Sequence, residues 1–189
     1  MAPTNPFAEI SDRYADLSTS LRKPLVTRAV GAVIPFVDTA GCYIEAYTPT
    51  RVAVRLSNRE GVQNHLGGMH AAALALLAET ASGLVVALNV PPESAPLLRT
   101  MEVSFDRYAQ QAVQAEAVLS TDESEHIQSS PIGRMTVDVV LTAPEADKTL
   151  VSSELEWAWL PEEKLKGEPE GFGNGANERS TLCDGGRKR

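Results

Sequence analysis

The chain has 189 residues, 43% hydrophobic and 22% charged, enough for one soluble domain that buries its own core without metals or disulfides. Its 25 acidic against 17 basic residues leave a formal net charge of −8, which argues against a nucleic-acid binder and against docking on anionic lipid. Cys42 and Cys183 lie far apart, the second in a polar tail, so a reduced, cytoplasmic setting is expected rather than a disulfide framework. The opening residues, Met1-Ala2-Pro3-Thr4-Asn5-Pro6, lack a basic segment followed by an apolar run, so no secretory leader is expected.

Residues 7–22 carry Phe7, Ile10, Tyr14, Leu17 and Leu21 at helical spacing, which predicts an amphipathic helix interrupted by Pro24. This N-terminal segment, 1–24, precedes a main domain over 25–160. Residues 25–35 are apolar and read as a second short helical piece ending near Pro35. Two strands follow, 41–48 and 51–57, joined at Pro49-Thr50; in the second, Val52 and Val54 alternate with Ala53 and Arg55. From Ala71 to Leu88 there are 18 residues with one ionisable group, Glu79. A membrane span is rejected, because a central carboxylate costs about 2.5–3.5 kcal/mol there and basic flanks are missing. A helix apolar all round is instead one surrounded by protein. Four further strands are predicted at 97–109, 112–120, 133–143 and 149–160, with a polar loop over 121–132. Runs of strands around one long helix give an α+β fold with an antiparallel sheet. Residues 161–189 hold 12 charged residues and 6 of the 13 glycines, and are expected to be a disordered polar tail.

The chemistry concentrates in Asn64-His65-Leu66-Gly67-Gly68-Met69-His70-Ala71 and the helix after it. A carboxylate in an apolar helix is costly to bury, so Glu79 is a candidate for acid–base or nucleophilic work; the alternative is a structural glutamate bound to a neighbouring backbone group. Gly67, Gly68 and His70 precede a helix N-terminus, whose unpaired N–H groups suit a carbonyl oxygen or a developing oxyanion. The plainer alternative is that the glycines turn the chain, His70 packs and Asn64 is a turn residue. Glu79 lies nine residues after His70, which at 100° and 1.5 Å per residue puts them on opposite helix faces with about 13 Å of rise between them. If both act, a second subunit supplies one of them, so an enzyme built on this segment is a dimer with composite sites.

The pattern Asn64-x2-Gly67-x2-His70, with an acidic residue nine positions after His70, resembles the signature of hotdog-fold thioesterases of the phenylacetyl-CoA thioesterase-like group, and most closely an uncharacterised branch of it. The resemblance covers about residues 25–160. It implies a curved antiparallel sheet wrapped around one long central helix, a homodimer or dimer of dimers, and metal-free, cofactor-free hydrolysis of acyl-CoA thioesters. Carried over by position, Glu79 is the general base or nucleophile, Asn64 orients the attacking water or the acyl carbonyl, and His70 shapes the turn. The Ala71 N–H polarises the thioester carbonyl beside Gly68. Departures are Ala71 where the family often has glycine, Glu79 where it often has aspartate, and Leu98 near a position where some members use a hydroxyl. Thr100, two residues on and expected on the same strand face, is the substitute. Arg107 is the cation best placed for CoA phosphates; Arg99 and Arg134 read as solvated surface residues. The resulting expectation is an acyl-CoA thioesterase with no nucleic-acid or membrane partner. The alternative is a non-catalytic hotdog module that binds acyl-CoA or an acyl-carrier partner. A hotdog hydratase is disfavoured, because its usual Asp-plus-His pairing on the helix segment is missing.

Overall fold

Alternation along the strands sets the architecture. In the computed structural model, which describes residues 4–144 and 148–165, β2 (Arg51–Leu56), β4 (Val113–Val118), β5 (Gly133–Ala143) and β6 (Lys148–Pro161) each turn every second side chain inward. Val52, Val54, Ala115, Ala117, Val137, Val139, Leu155 and Trp159 are all buried on that face. With β1 (Tyr43–Thr48) and β3 (Ser94–Phe105) these strands form one six-stranded antiparallel sheet in the order β1-β2-β4-β5-β6-β3. The sheet curves around α4 (Ala71–Ala87), as expected of an α+β fold with one long central helix. Leu77 and Leu84 of α4 are fully buried against it, and truncating either to alanine costs about 2–5 kcal/mol.

Three helices precede the sheet: α1 (Pro6–Arg13), α2 (Thr19–Val33) and α3 (Pro35–Ala40). Pro24 does not interrupt the chain as expected; it lies inside α2. The break falls at residues 14–18 instead. Proline removes one N–H from the ladder, and here packing against β1 holds the helix through that loss. The expected polar loop over 121–132 contains a helix, α5 (Thr121–Gln128), opened by a reciprocal capping box between Ser120 and Glu123. Most of 161–189 lies outside the described residues; Pro161 closes β6, and Glu162–Leu165 form a short helix, α6.

The expectation that the central helix is apolar-packed all round holds for its C-terminal half. In the first half Ala71 and Ala72 are exposed, and Ala73, Leu76 and Glu79 are half-buried. No helix among the described residues is long and apolar enough to cross a membrane.

The two edges of the sheet differ. α2 runs along β1: the Ile44 N–H donates to Thr27 Oγ1 (2.9 Å), the Arg22 guanidinium donates to the Tyr47 carbonyl (3.0 Å), and Lys23 pairs with Glu45 (2.6 Å). β3 pairs with β6 on one side, and no described strand pairs with its other side.

Candidate active site

The loop before α4 is tied down by its own polar groups. Asn64 Oδ1 accepts from the Leu66 N–H (2.9 Å), the Asn64 N–H donates to the Gly68 carbonyl (2.8 Å), and the Gly67 N–H donates to the Asn64 carbonyl (3.1 Å). Gly67 takes φ +77°, the left-handed region that favours glycine. Gly68 is needed for another reason: a Cβ there would lie 2.3 Å from the ring of Tyr108, whose hydroxyl donates to the Leu66 carbonyl (3.0 Å). The Met69 N–H to the Ala109 carbonyl and the His70 N–H to the Val62 carbonyl, both 2.8 Å, pin the end of the loop from both sides.

His70 is the N-cap of α4, in extended backbone (φ −67°, ψ 141°), and its Nδ1 accepts from the Ala72 N–H (3.1 Å). That bond places the neutral ring's proton on Nε2. It also satisfies the second N–H of the helix while leaving the first: among the described residues the exposed Ala71 N–H has no acceptor.

His70 lines a hollow of about 360 Å³ with Phe36, Gln63, Ala72, Ala73 and Leu76. Glu79 lines a second, of about 140 Å³, with Phe7, Thr80, Gly83 and Trp157. Burial pushes the Glu79 carboxyl above the usual carboxylate range; the nearby Thr80 hydroxyl opposes the rise. Thr80 Oγ1 is itself buried and makes no hydrogen bond of acceptable geometry.

The expected opposition of His70 and Glu79 across the helix needs correction. His70 precedes the helical residues, so 100° per residue does not reach it. Its hollow contains Ala72 and Leu76, which helical spacing puts on the same side of α4 as Glu79 and Gly83. The two groups occupy successive hollows along one side of α4 rather than opposite faces.

Thr100 is also displaced from its expected place. A β-bulge between Leu98 and Thr100 pairs Leu98 with Trp157 but Thr100 with Glu156. Trp157 and Glu156 point to opposite faces, so the extra residue turns Thr100 away from α4, where its hydroxyl meets Glu156 at 3.4 Å. Arg107 is exposed beside Tyr108, at the turn where its own N–H donates to the Leu150 carbonyl (3.1 Å). Arg134 pairs with Glu156 at 3.4 Å on the surface. Among the described residues no group of three or more His, Cys, Asp or Glu side chains is placed to hold a metal. Sequence reasoning missed Tyr108, Thr80 and Phe7. Only Thr80 carried a signal, a hydroxyl next to the one ionisable residue of an apolar helix.

Residues 22–160 match the family described as Domain of unknown function (DUF4442). No curated protein matches the chain. Among solved structures, a Pseudomonas aeruginosa protein of unknown function, suggested to be a thioesterase, is 22% identical with a TM-score of 0.64, over 71% of this chain and 93% of that one. A Haemophilus influenzae thioesterase is 15% identical with a TM-score of 0.60, over 71% and 90%. A Staphylococcus aureus thioesterase is 18% identical with a TM-score of 0.58, over 67% and 99%. These likenesses fix the hotdog fold, and the family match places the chain: it belongs to the DUF4442 family, a family of unknown function.

Proposed function

We propose that this protein is an acyl-CoA thioesterase whose site forms between two copies of the chain. The observation that carries the reading is the pairing, on one helix, of an unpaired N-terminal N–H at Ala71 with a partly buried carboxyl at Glu79. Glu79 takes a proton from water as its oxygen attacks the thioester carbonyl carbon. The carbonyl oxygen, now negative, is held by the Ala71 N–H at the positive end of α4. Collapse of the tetrahedral intermediate breaks the C–S bond; the proton returns to the departing sulfur, and free acid and CoA leave.

Within one protomer about 12 Å of helix separates the two groups, so a second copy supplies Glu79 to the first copy's helix terminus. The open edge of β3 supports that assembly. Arg107, beside the loop, is offered to the CoA phosphates. In solved variants of the S. aureus thioesterase, a glutamine and a glutamate fifteen residues apart have each been replaced by alanine. Asn64 and Glu79 stand at the same separation here, which supports giving both a role.

Glu79→Gln tests the reading on a panel of acyl-CoA thioesters, with thiol release as readout. Turnover is expected to fall about 10²–10⁴-fold with little change in melting temperature. In the wild type, turnover rises with pH through the raised Glu79 value, because the base must be deprotonated. The sign for stability is the reverse. A carboxyl whose folded pKa lies above its unfolded one contributes fully below the unfolded value, and that contribution is lost as pH rises through the folded one. Melting curves from about pH 4 to about pH 8 should show this loss in the wild type and not in Glu79→Gln. Wild-type turnover by Glu79→Gln on a hydrolysed substrate would falsify the mechanism.

One observation favours a second reading, a non-catalytic module that binds acyl-CoA. Asn64 Oδ1 is committed to its own loop through the Leu66 N–H, which draws it away from substrate. Acyl-CoA binding without thiol release by the wild type selects that reading.

A further inference from the structure

We propose that the cavity beside Glu79 receives the acyl group, and that the group it fits is short and carries an oxygen substituent, hydroxyl or keto, that hydrogen-bonds Thr80. This rests on the hydrolytic reading above and names its substrate class.

Size comes first. The cavity measures about 140 Å³; at about 30 Å³ for each water-sized group, it holds roughly four or five non-hydrogen atoms. Its walls are apolar, with Phe7, Pro96 and the Trp157 ring around the small Gly83, where a Cβ would come within 2.8 Å of Trp157. A 3-hydroxybutyryl or 3-ketobutyryl group has four such atoms beyond its thioester carbon.

Thr80 supplies the polar requirement. It is 3% exposed and lines the cavity, and its hydroxyl lies near the Glu79 carboxyl but makes no hydrogen bond of good geometry. A hydroxyl inside a helix commonly donates to a carbonyl three or four residues back, and Ser82, two residues on, does so to Ala78 at 3.0 Å. Thr80 does not. A buried hydroxyl without a well-formed hydrogen bond carries a cost that a saturated acyl chain leaves in place and an oxygen substituent relieves. As donor and acceptor together, the hydroxyl serves an alcohol or a ketone.

Phe7 sets the length limit, and it is fixed in place. Asn5 Oδ1 accepts from the Phe7 N–H (2.9 Å), Asn5 Nδ2 donates to the Ala87 and Val90 carbonyls (2.8 Å each), and the Tyr47 hydroxyl donates to the Phe7 carbonyl (3.1 Å). The family match begins at residue 22, so this wall comes from outside the family region.

The experiment titrates the full chain with 3-hydroxybutyrate and with butyrate, followed by tryptophan fluorescence, to which Trp157 in the cavity wall contributes, and then measures hydrolysis of the two CoA thioesters. The hydroxy acid is expected to bind up to about tenfold more tightly, the discrimination of one neutral hydrogen bond. Thr80→Val should abolish that preference by weakening the hydroxy acid alone. Thr80→Ser should keep it. Phe7→Ala should admit hexanoate. Equal binding of the two acids by the wild type, or equal weakening of both by Thr80→Val, overturns the proposal. An unchanged length limit in Phe7→Ala overturns the role of the wall. If neither thioester is hydrolysed but the acid preference and its loss hold, the cavity assignment stands and the hydrolytic reading fails. If both are hydrolysed equally without any acid preference, the outcome is the opposite.

Discussion

β1 and β3 are the two edges of one sheet, and the chain treats them differently. Along β1 it supplies its own cover. Thr27 takes the Ile44 N–H, Arg22 takes the Tyr47 carbonyl, and Lys23 pairs with Glu45, so α2 does what another strand would do. β3 is twice as long, 12 residues against 6, and gets no such cover from the described residues; Met101 and Phe105 remain 39% and 49% exposed. An unpaired long strand is a template for another chain. The contrast separates an edge that the chain closes by its own means from one that, on the proposed reading, meets a copy.

The most damaging way to break this contrast is at β3. Met101→Lys with Phe105→Lys places charge on the open edge. We expect light scattering to fall from a dimer or larger to the 20.3 kDa of one chain, with hydrolysis lost by at least about 10²-fold if the site is shared as proposed. Unchanged mass with full activity would reject β3 as the meeting edge. The covered edge should be chemically quiet. Cys42, just before β1, is buried, and burial pushes its thiol up to about 11 against the opposing pull of Arg59. At neutral pH its alkylation should run about 10²-fold slower than that of an ordinary thiol, read from the mass of its own peptide; rapid labelling would show that the cover opens.

Smaller effects sharpen the same edge. Thr27→Val leaves the Ile44 N–H without its acceptor and should cost about 1–3 kcal/mol, seen as a melting temperature lower by a few degrees at unchanged mass. Lys23→Met should cost under about 1 kcal/mol, since both partners of the pair with Glu45 are part-exposed and screened. A larger loss for Lys23→Met than for Thr27→Val would reverse the ranking of backbone cap over ion pair.

What the sequence disclosed follows from which signals are local. The central helix stood out because 18 residues carried one charge, and β2, β5 and β6 because every second residue is apolar. α5 was hidden: its only buried residues are Ser124 and Ile127, too few to show a period, although Ser120 and Glu123 already spelled its capping box. Pro24 misled because its helix is held by tertiary packing rather than by propensity. At the site, Glu79 and the loop could be found, but the face of Thr100 could not, since a bulge is set by pairing with a strand more than fifty residues later. The need for Gly68 was equally invisible, because the ring that requires it belongs to Tyr108.

The clamp made by Asn5 also bears on the order of assembly. Its two carbonyl partners on and beyond α4 lie 82 and 85 residues further along the chain. At about 5–20 residues per second of synthesis, α1 waits on the order of 4–17 s before those carbonyls exist. Phe7 and Ile10 stay without their final neighbours through that interval, and the closure they make is one of long sequence separation, the kind that folds late. The wall proposed to limit the cavity is therefore made well before the carbonyls that hold it and is among the last parts to be set.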